Sequence, residues 1–329
     1  MDILLIFLQN LLSPAVLFFA LGIAAGLLKS DLDVPDSISR YLSIYLMMAI
    51  GFKGGAALSG TEGGLLTALP VLLAGAAVSF LLPFLAFGLL RRTTKLDGAT
   101  QAAIAGHYGS VSIVTFVTAA SFLQQEGLAY EGYIVAVLAL MEAPAILSAL
   151  YIAHRAAPDT IEAGRKATPK LAREIFTNGA ILLLFGSFVI GLASGTEGLK
   201  KMEGFLVTPF QGILALFLLD MGWMVARQFH HMRSFSLSLA AFGLYMPLLG
   251  AMAGLLIAYA IGLSAGTGAL FMVLCASASY IAVPAAMRLA LPQAKAAIYL
   301  PLSLAITFPF NIVAGIPLYV TAAEMVLAR

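Results

Sequence analysis

Charged side chains are scarce in this chain. Asp, Glu, Lys and Arg make up 10% of the 329 residues, whereas hydrophobic residues make up 61% and the mean hydropathy is +0.99. A soluble domain has no interior large enough to hide such a share of apolar surface, so the composition predicts a polytopic membrane protein. The net charge of +2 gives no indication of nucleic-acid binding.

Cysteine is almost absent as well. The single Cys275 excludes a disulfide within the chain and a cysteine-based zinc cluster. A zinc protease would need a His-Glu-x-x-His motif, which the sequence lacks, and an aspartyl protease would need two intramembrane aspartates, of which Asp220 is the one candidate. Ser110 lies three residues after His107, but this segment lacks the Gly-x-Ser-x-Gly turn of serine hydrolases. We therefore do not expect an enzyme.

Long apolar runs dominate what is present. The first, from Leu12 to Leu28, has no basic start and no clear small-x-small cleavage site, so we interpret it as a retained helix rather than a signal peptide. Ten spans of the length that a bilayer requires can be drawn, and the polar connection 155–174 divides them into five plus five. The expected spans are 12–29, 36–55, 65–90, 97–123, 131–154, 175–195, 205–227, 234–262, 266–290 and 297–324.

Basic residues are distributed unevenly between the connections. With ten spans, fourteen of the eighteen Lys and Arg residues flank the connections that follow odd-numbered spans, and Lys53, Lys200, Lys201 and Arg329 are left on the other side. The positive-inside rule then places the loop 155–174 in the cytoplasm. It also predicts that both termini lie outside a plasma membrane.

The two halves share landmarks at similar separations. Gly51 corresponds to Gly222, 171 residues later, and Pro144 corresponds to Pro309, 165 residues later. Because five is an odd number, the second half must enter the membrane from the opposite side, and inverted repeats of this kind are typical of secondary transporters. We therefore expect an all-α fold with a first repeat at 1–154, a cytoplasmic linker at 155–174 and a second repeat at 175–329.

Two polar stretches interrupt apolar spans near their middle, Gly106–Ser112 in the fourth span and Ala276–Pro284 in the ninth. Gly and Ser hold a helix poorly, and Pro284 removes an amide donor. Hydrocarbon penalises freed backbone groups by several kcal/mol each, so such breaks survive only beside protein or a water-filled cavity. The matched pair predicts broken helices around a solute site near the mid-membrane; a tight helix crossing is the alternative.

Glu142 is a carboxyl group near the middle of the fifth span. Inserting a bare carboxylate there costs at least ~2.5 kcal/mol, so the group should have a partner or be protonated. Pro144 frees the carbonyl of Leu140, and Asn311 lies beside Pro309 in the tenth span. Oxygen donors of this kind suit a sodium ion, but they could equally form a proton relay or a structural hydrogen bond between helices.

The hydroxyls of Ser110, Ser112, Ser277 and Ser279 could donate to a small oxyanion, together with unpaired amides at the starts of the second half-helices. We expect those starts near Val111 and Ser279. The lack of Lys and Arg inside either break argues against a tightly held multivalent anion. For each single serine, a hydrogen bond to the preceding turn is the simpler interpretation.

Three further polar residues lie inside predicted spans. His107 has no second His or Cys ligand nearby in the sequence, so an interior hydrogen bond is a better interpretation than a metal site. Lys53 and Asp220 lie near corresponding places of the second and seventh spans. Either could belong to an interface pair or be a snorkelling charge.

At these residues the sequence resembles the sodium-dependent bicarbonate transporter family first known from cyanobacteria. The stretch Ser279–Arg288 is close to a family hallmark, and so is Ile306–Ile312 followed by Gly315–Tyr319. The first half has matching but looser elements, Gly109-x-Val111-Ser112 and Met141-x-x-Pro144. The resemblance covers essentially the whole chain.

The resemblance implies ten helices in two inverted five-helix repeats, with broken helices four and nine. It implies a mobile core domain from helices 3–5 and 8–10, a gate or scaffold domain from helices 1–2 and 6–7 that builds a homotrimer, and an elevator-like movement of the core. A PII-like signalling protein on the cytoplasmic face is a further implied partner. The implied anion site contains Gly109, Ser110, Val111, Ser112, Ser277, Ala278, Ser279 and Tyr280, and the implied sodium site contains Thr115, Glu142 and Asn311.

Two departures from the family pattern lie at the implied site. Glu142 stands where familiar members have Asp, and Ile113 and Val114 intervene between Ser112 and Thr115. We expect sodium-dependent symport of bicarbonate into the cell. A sodium- or proton-coupled carrier of another small organic anion and an anion channel are the alternatives.

Overall fold

The computed structural model describes residues 12–32, 34–60, 64–156, 179–232, 235–280, 283–284, 286–287 and 291–328. Within these ranges all regular structure is helical. Eight helical spans are long and apolar enough to cross a membrane, and three of them, Gly98–Gln125, Ile134–Ala156 and Glu203–Phe229, each consist of two consecutive helices. Two shorter apolar helices lie where the first and ninth spans were expected. Most of the predicted linker, from residue 157 onward, lies outside the described residues.

The first half of the chain contributes seven helices. They are α1 Pro14–Leu27, α2 Asp36–Ser59, α3 Gly64–Thr93, α4 Gly98–Gly109, α5 Ile113–Gln125, α6 Ile134–Leu140 and α7 Glu142–Ala156. The described part of the second half contributes α8 Gly179–Lys201, α9 Glu203–Leu206, α10 Phe210–Met232, α11 Leu237–Ile261, α12 Ala265–Ala276 and α13 Ala296–Leu327. Helix α13 contains two π-helical turns, Leu302–Thr307 and Asn311–Gly315, and such wide turns often occur at functional sites.

Three predicted spans differ from the helices found. The first, expected at 12–29, is a helix of 14 residues. The seventh, expected at 205–227, lies within the apolar span Glu203–Phe229 but consists of two helices, α9 and α10, separated by a turn at 207–209 that contains Pro209. The fifth, expected as a continuous helix, is interrupted at Met141, just before Glu142.

Helices α2 and α8 touch through their backbones. A Cβ added at Gly51 would lie 2.5 Å from the carbonyl oxygen of Leu184 and 3.2 Å from the amide nitrogen of Phe188. A Cβ added at Gly191 would overlap the carbonyl oxygen of Phe52. Only glycine permits this approach, as is common where helices pack inside a membrane.

Helices α1 and α10 touch in the same manner. A Cβ at Gly222 would overlap the carbonyl oxygen of Phe19 and lie 2.9 Å from the amide nitrogen of Ile23. A Cβ at Gly26 would lie 3.3 Å from the carbonyl oxygen of Trp223. Each contact is therefore the counterpart of one between α2 and α8.

The numbering of these contacts follows two fixed separations. Gly222 follows Gly51 by 171 residues, and their partners Leu184 and Phe19 are 165 residues apart. The separation of 165 also holds where α6 and α13 pack against glycines. There Gly75 faces Val137 and Met141 in the first half. The residues 165 positions later, Leu302 and Ile306, face Gly243, which follows Gly75 by 168 residues.

Helices α4 and α12 are also counterparts, each 12 residues long and 167 residues apart. The side chain of Asp97 caps α4 by accepting from the amide of Thr100 at 2.8 Å. Ser264 caps α12 by accepting from the amide of Thr267 at 3.4 Å. Both helices stop at a serine with extended backbone.

Threonines hold the N-terminal ends of α4 and α12 to the opposite half of the chain. The hydroxyl of Thr100 accepts a hydrogen bond from the amide of Lys295 at 3.1 Å. The hydroxyl of Thr267 accepts one from the amide of Glu131 at 2.9 Å. The N-terminal ends of both helices are therefore fixed by equivalent contacts.

Candidate functional site

The predicted break in the fourth span is present at Ser110–Ser112. Helix α4 ends at Gly109, and α5 begins at Ile113, two residues after the predicted start. The Oγ atom of Ser112 caps α5 by accepting from the amide of Thr115 at 3.2 Å, and it also accepts from the Thr115 hydroxyl at 2.9 Å. A serine cap of this kind satisfies one amide of the first turn and leaves others free for a ligand.

The ninth span is interrupted as well. Helix α12 ends at Ala276, and Ser277–Tyr280 are not helical. The helical residues Val283 and Pro284 follow the break, and the amide of Val283 donates to the Oγ atom of Ser279 at 3.4 Å. Residues 281 and 282 lie outside the described part of the chain.

The two breaks are hydrogen-bonded to each other. The amide of Ser112 donates to the Oγ atom of Ser277 at 3.0 Å, and the amide of Ser279 donates to the carbonyl oxygen of His107 at 2.9 Å. The Nδ1 atom of His107 lies 2.5 Å from the carbonyl oxygen of Ser279, so Nδ1 carries the proton. All four serines of the breaks are at most 4% exposed, and they face protein rather than lipid.

Glu142 is the carboxyl group nearest to the first break. It is buried, and the Oγ atom of Ser110 donates to its Oε2 atom at 2.9 Å. Because Glu142 is the first residue of α7, the helix dipole also favours a negative charge there. The carbonyl of Met141, at the interruption just before it, accepts from the hydroxyl of Ser79.

Asn311 lies at the end of α12. Its amide nitrogen donates to the carbonyl oxygen of Ala276 at 3.0 Å, and its Oδ1 atom accepts from the Tyr319 hydroxyl at 2.9 Å. No hydrogen bond within the described residues joins Asn311 to Glu142 or Thr115. The structure thus joins Ser110 to Glu142 and Thr115 to Ser112, and it places Asn311 against the second break.

Tyr108 and Thr307 are polar residues of the crossing that the sequence did not identify. The Thr307 hydroxyl donates to the carbonyl oxygen of Gly243 at 2.7 Å and lies 2.6 Å from the Tyr108 hydroxyl. Thr307 precedes Pro309 by two residues, as Glu142 precedes Pro144. The same separation of 165 that related the prolines would therefore have found it.

The hydroxyl of Tyr280 is buried and has no hydrogen-bond partner among the described residues. Its ring packs edge-on against Phe308 at 5.3 Å between ring centroids. The hydroxyl lies close to the Ser112 side chain without forming a hydrogen bond of normal geometry with it. Buried hydroxyls normally have a well-formed partner, so this one is a candidate donor for a ligand.

A cavity of about 870 Å³ reaches this crossing. Its walls come from α2, α8 and α10 on one side and from the second break and α13 on the other. Its lining consists of Ser39, Arg40, Ser43, Ile44, Met47, Gly179, Leu183, Phe217, Met221, Met224, Gln228, Tyr280, Leu300 and Leu304. Arg40, Gly179 and Gln228 are near helix ends that the positive-inside rule assigns to the cytoplasm.

A second, small cavity of about 10 Å³ lies at the first turn of α5, where Ile113 and Val114 face Leu46. This is close to the space of one water molecule. Ser43 and Phe217 line both cavities. They are thus the residues that separate the large cavity from the start of α5.

The remaining candidates of the sequence have separate partners. Asp220 is buried and accepts from the hydroxyl of Ser39, whereas the ammonium of Lys53 lies 4.7 Å from the centroid of the Phe210 ring. The described residues contain no group of three or more His, Cys, Asp or Glu side chains that could hold a metal ion. Ser110 donates to Glu142 rather than to His107, so the two do not form a nucleophile–base pair.

The fold and this crossing define a class, that of multi-pass helical membrane transporters. Residues 14–324 match the family model described as the Na+-dependent bicarbonate transporter superfamily. The chain belongs to this family, and the resemblance noted in the sequence is confirmed. No curated protein sequence matched the chain. The family name indicates sodium dependence and bicarbonate as the transported anion.

Proposed function

We propose that this protein is a symporter in which sodium moving into the cell draws in bicarbonate. The observation that carries the proposal is the hydrogen bond between Ser110 and Glu142. It joins the buried carboxylate directly to the break where α5 presents its first amides. A cation site and an anion site that are joined by one hydrogen bond can influence each other over a very short distance.

The anion site is formed by the two breaks, Gly109–Ser112 and Ser277–Tyr280. The first-turn amides of α5 and the unpartnered hydroxyl of Tyr280 supply hydrogen-bond donors without a full positive charge. A monoanion is suited to such a site because neutral donors balance its charge while water is excluded. The sodium site contains Thr115, Glu142 and Asn311, whose oxygen atoms match the preference of a hard cation.

Coupling follows from the charge of Glu142. A bound sodium ion offsets this carboxylate and removes its repulsion of the anion beside Ser110. Each solute therefore raises the affinity for the other by the same factor, as linkage requires. Glu142 stands where familiar family members have Asp, and its side chain is one methylene longer. The distance from the backbone to the bound sodium ion therefore differs by that length.

The architecture belongs to the same proposal. We infer two inverted repeats of five helices, 1–154 and 175–329, because the contacts of α2 with α8 recur between α10 and α1 at constant separations. The α1, α2, α8 and α10 group is the scaffold domain, and the other long helices form the core. The homotrimer, the PII-like partner, the plasma membrane and the outside position of both termini are expectations from family resemblance and from the distribution of basic residues.

We infer that the state described is open toward the cytoplasm. Ser43 and Met47 line the large cavity, whereas the residues 171 positions later, Leu214 and Leu218, are fully buried. One side of the scaffold is therefore accessible and the equivalent side is closed. An elevator-like movement of the core would close the accessible side of the scaffold and open the equivalent side.

The test is uptake of labelled bicarbonate into proteoliposomes with an imposed sodium gradient. Sodium should drive accumulation, and potassium or choline should not. At an effective dielectric constant of 20, one charge at 4 Å contributes about 4 kcal/mol, so Glu142→Gln should reduce the sodium stimulation at least about tenfold. Glu197→Gln changes an exposed carboxyl of the surface pair with Lys200 and should have no effect.

Several outcomes would contradict the proposal. Equal uptake in sodium and choline would remove the coupling ion. Preferred transport of a small carboxylate over bicarbonate would indicate a carrier of another organic anion. Flux that equilibrates the label without accumulating it would indicate a channel.

A further inference from the structure

Lys53 is a charged residue within a membrane span that the proposed mechanism does not use. It is half-buried on α2, and neither ion pair found among the described residues includes it. Its ammonium lies 4.7 Å from the centroid of the Phe210 ring. Because a charge in a span is costly to insert, a lysine in this place is a candidate functional group.

The relation between the two halves shows which surface Lys53 belongs to. At the separation of 171 residues, Lys53 corresponds to Met224, and Phe210 corresponds to Ser39. Met224 and Ser39 both line the large cavity that opens toward the cytoplasm. Lys53 and Phe210 therefore occupy the equivalent wall on the opposite side of the scaffold.

That opposite wall is closed in this state. Phe210 is 2% exposed, and the next residue, Gln211, accepts a hydrogen bond from the hydroxyl of Ser121 at 2.9 Å. Ser121 belongs to α5 and Gln211 to α10, so this bond joins the core to the scaffold beside Lys53. When the core moves and the cytoplasmic cavity closes, this contact must break and expose the wall.

We propose that Lys53 lines the outer vestibule of the outward-facing state and attracts the substrate anion there. The proposal rests on the proposed function, since it assumes that the anion enters from outside. Arg40 would hold the matching role in the cytoplasmic cavity, which it helps to line. Each vestibule then has one basic residue, although the two residues are not counterparts in the repeat.

A charge that attracts the substrate acts before the binding step. It raises the local concentration of anions and the rate of association, and its effect weakens as salt increases. Loss of the Lys53 charge should therefore raise KM for external bicarbonate by about threefold to tenfold at low ionic strength. It should leave kcat nearly unchanged, and the difference in KM should shrink at high salt.

The experiment uses Lys53→Cys and thiol reagents of opposite charge. The chain has one cysteine, Cys275, which is 3% exposed and inside the core, so the introduced thiol is the reactive one. External methanethiosulfonate reagents with a trimethylammonium group should restore KM, whereas those with a sulfonate group should raise it further. Lys53→Arg should behave as the unchanged protein, and Arg40→Gln should alter KM for efflux and not for external uptake.

The proposal is overturned if Lys53→Cys has an unchanged KM or if both reagents have the same effect. Failure of the introduced thiol to react from outside would also overturn it, and mass spectrometry measures that reaction without any transport assay. If Lys53→Cys does not fold, Lys53→Gln measured against Lys53→Arg decides by the same change in KM. Lack of sodium-driven uptake by the unchanged protein would contradict the proposed function instead.

Discussion

Replacing Gly222 by alanine should destabilise the protein by a measurable amount. The new Cβ would overlap the carbonyl oxygen of Phe19 and lie 2.9 Å from the amide nitrogen of Ile23. Both are backbone atoms, so they cannot rotate away, and α1 and α10 would have to move apart. Overpacking of this kind costs about 1–3 kcal/mol, and the better helix propensity of alanine returns up to about 1 kcal/mol. We expect a net loss of about 1–2 kcal/mol.

Gly212→Ala is the matched control because it lies on the same helix. A Cβ at Gly212 would have no atom within 4 Å, so this variant should be as stable as the unchanged protein or slightly more stable. Thermal unfolding in detergent should show Gly222→Ala melting several degrees lower than Gly212→Ala. Gly51→Ala should resemble Gly222→Ala, because it makes the equivalent contact. Equal melting temperatures for Gly222→Ala and Gly212→Ala would refute the close packing of α1 and α10.

Three further predictions concern the crossing and its surroundings. Ser112→Ala removes the cap of α5 at the anion site and should raise KM for bicarbonate about fivefold, which corresponds to about 1 kcal/mol of lost interaction. Ser264→Ala removes the cap of α12 away from that site and should lower stability without this change in KM. Tyr319→Phe leaves Oδ1 of Asn311 without its hydrogen bond, and sodium titration of uptake should show a lower sodium affinity by a few-fold. Burial tends to raise the pKa of Asp97, but hydrogen bonds from Thr100 and its ion pair with Lys295 outweigh burial and lower the pKa. The resulting stabilisation is present above the unfolded-state pKa of Asp97 and is lost as pH falls through its lower folded-state pKa. The difference in melting temperature between the unchanged protein and Asp97→Asn should therefore disappear in acid. Because the ion pair is partly exposed, we expect it to contribute less than about 1 kcal/mol at neutral pH.

The helices themselves could be predicted well from local sequence. Runs of apolar residues indicated the spans, and Asp97 marked the start of α4 because an aspartate before a helix accepts its free amides. The break after Gly109 could be predicted because Gly and Ser hold a helix poorly. These features depend on neighbouring residues, which a sequence shows directly.

The partners across the crossing could not be predicted in this way. His107 and Ser279 are 172 residues apart, and their pairing depends on how four half-helices are placed in space. The hydrogen bond from Asn311 to the carbonyl oxygen of Ala276 likewise joins two different helices, across 35 residues of sequence. Long-range pairing of this kind leaves no periodic signal in hydropathy. The interruption at Met141 was missed because Met and Leu continue the apolar pattern through it.

The cross-chain contacts of Thr100 and Thr267 have a consequence for synthesis. Thr100 is held by the amide of Lys295, which the ribosome adds 195 residues later. The first five membrane spans must therefore enter the membrane while the N-terminal end of α4 still lacks its contact with Lys295. A ribosome-bound chain stopped at the linker would contain Ser110, Thr115 and Glu142 but neither Asn311 nor the second break. Maturation of the binding pocket should therefore wait for the last helix to be inserted.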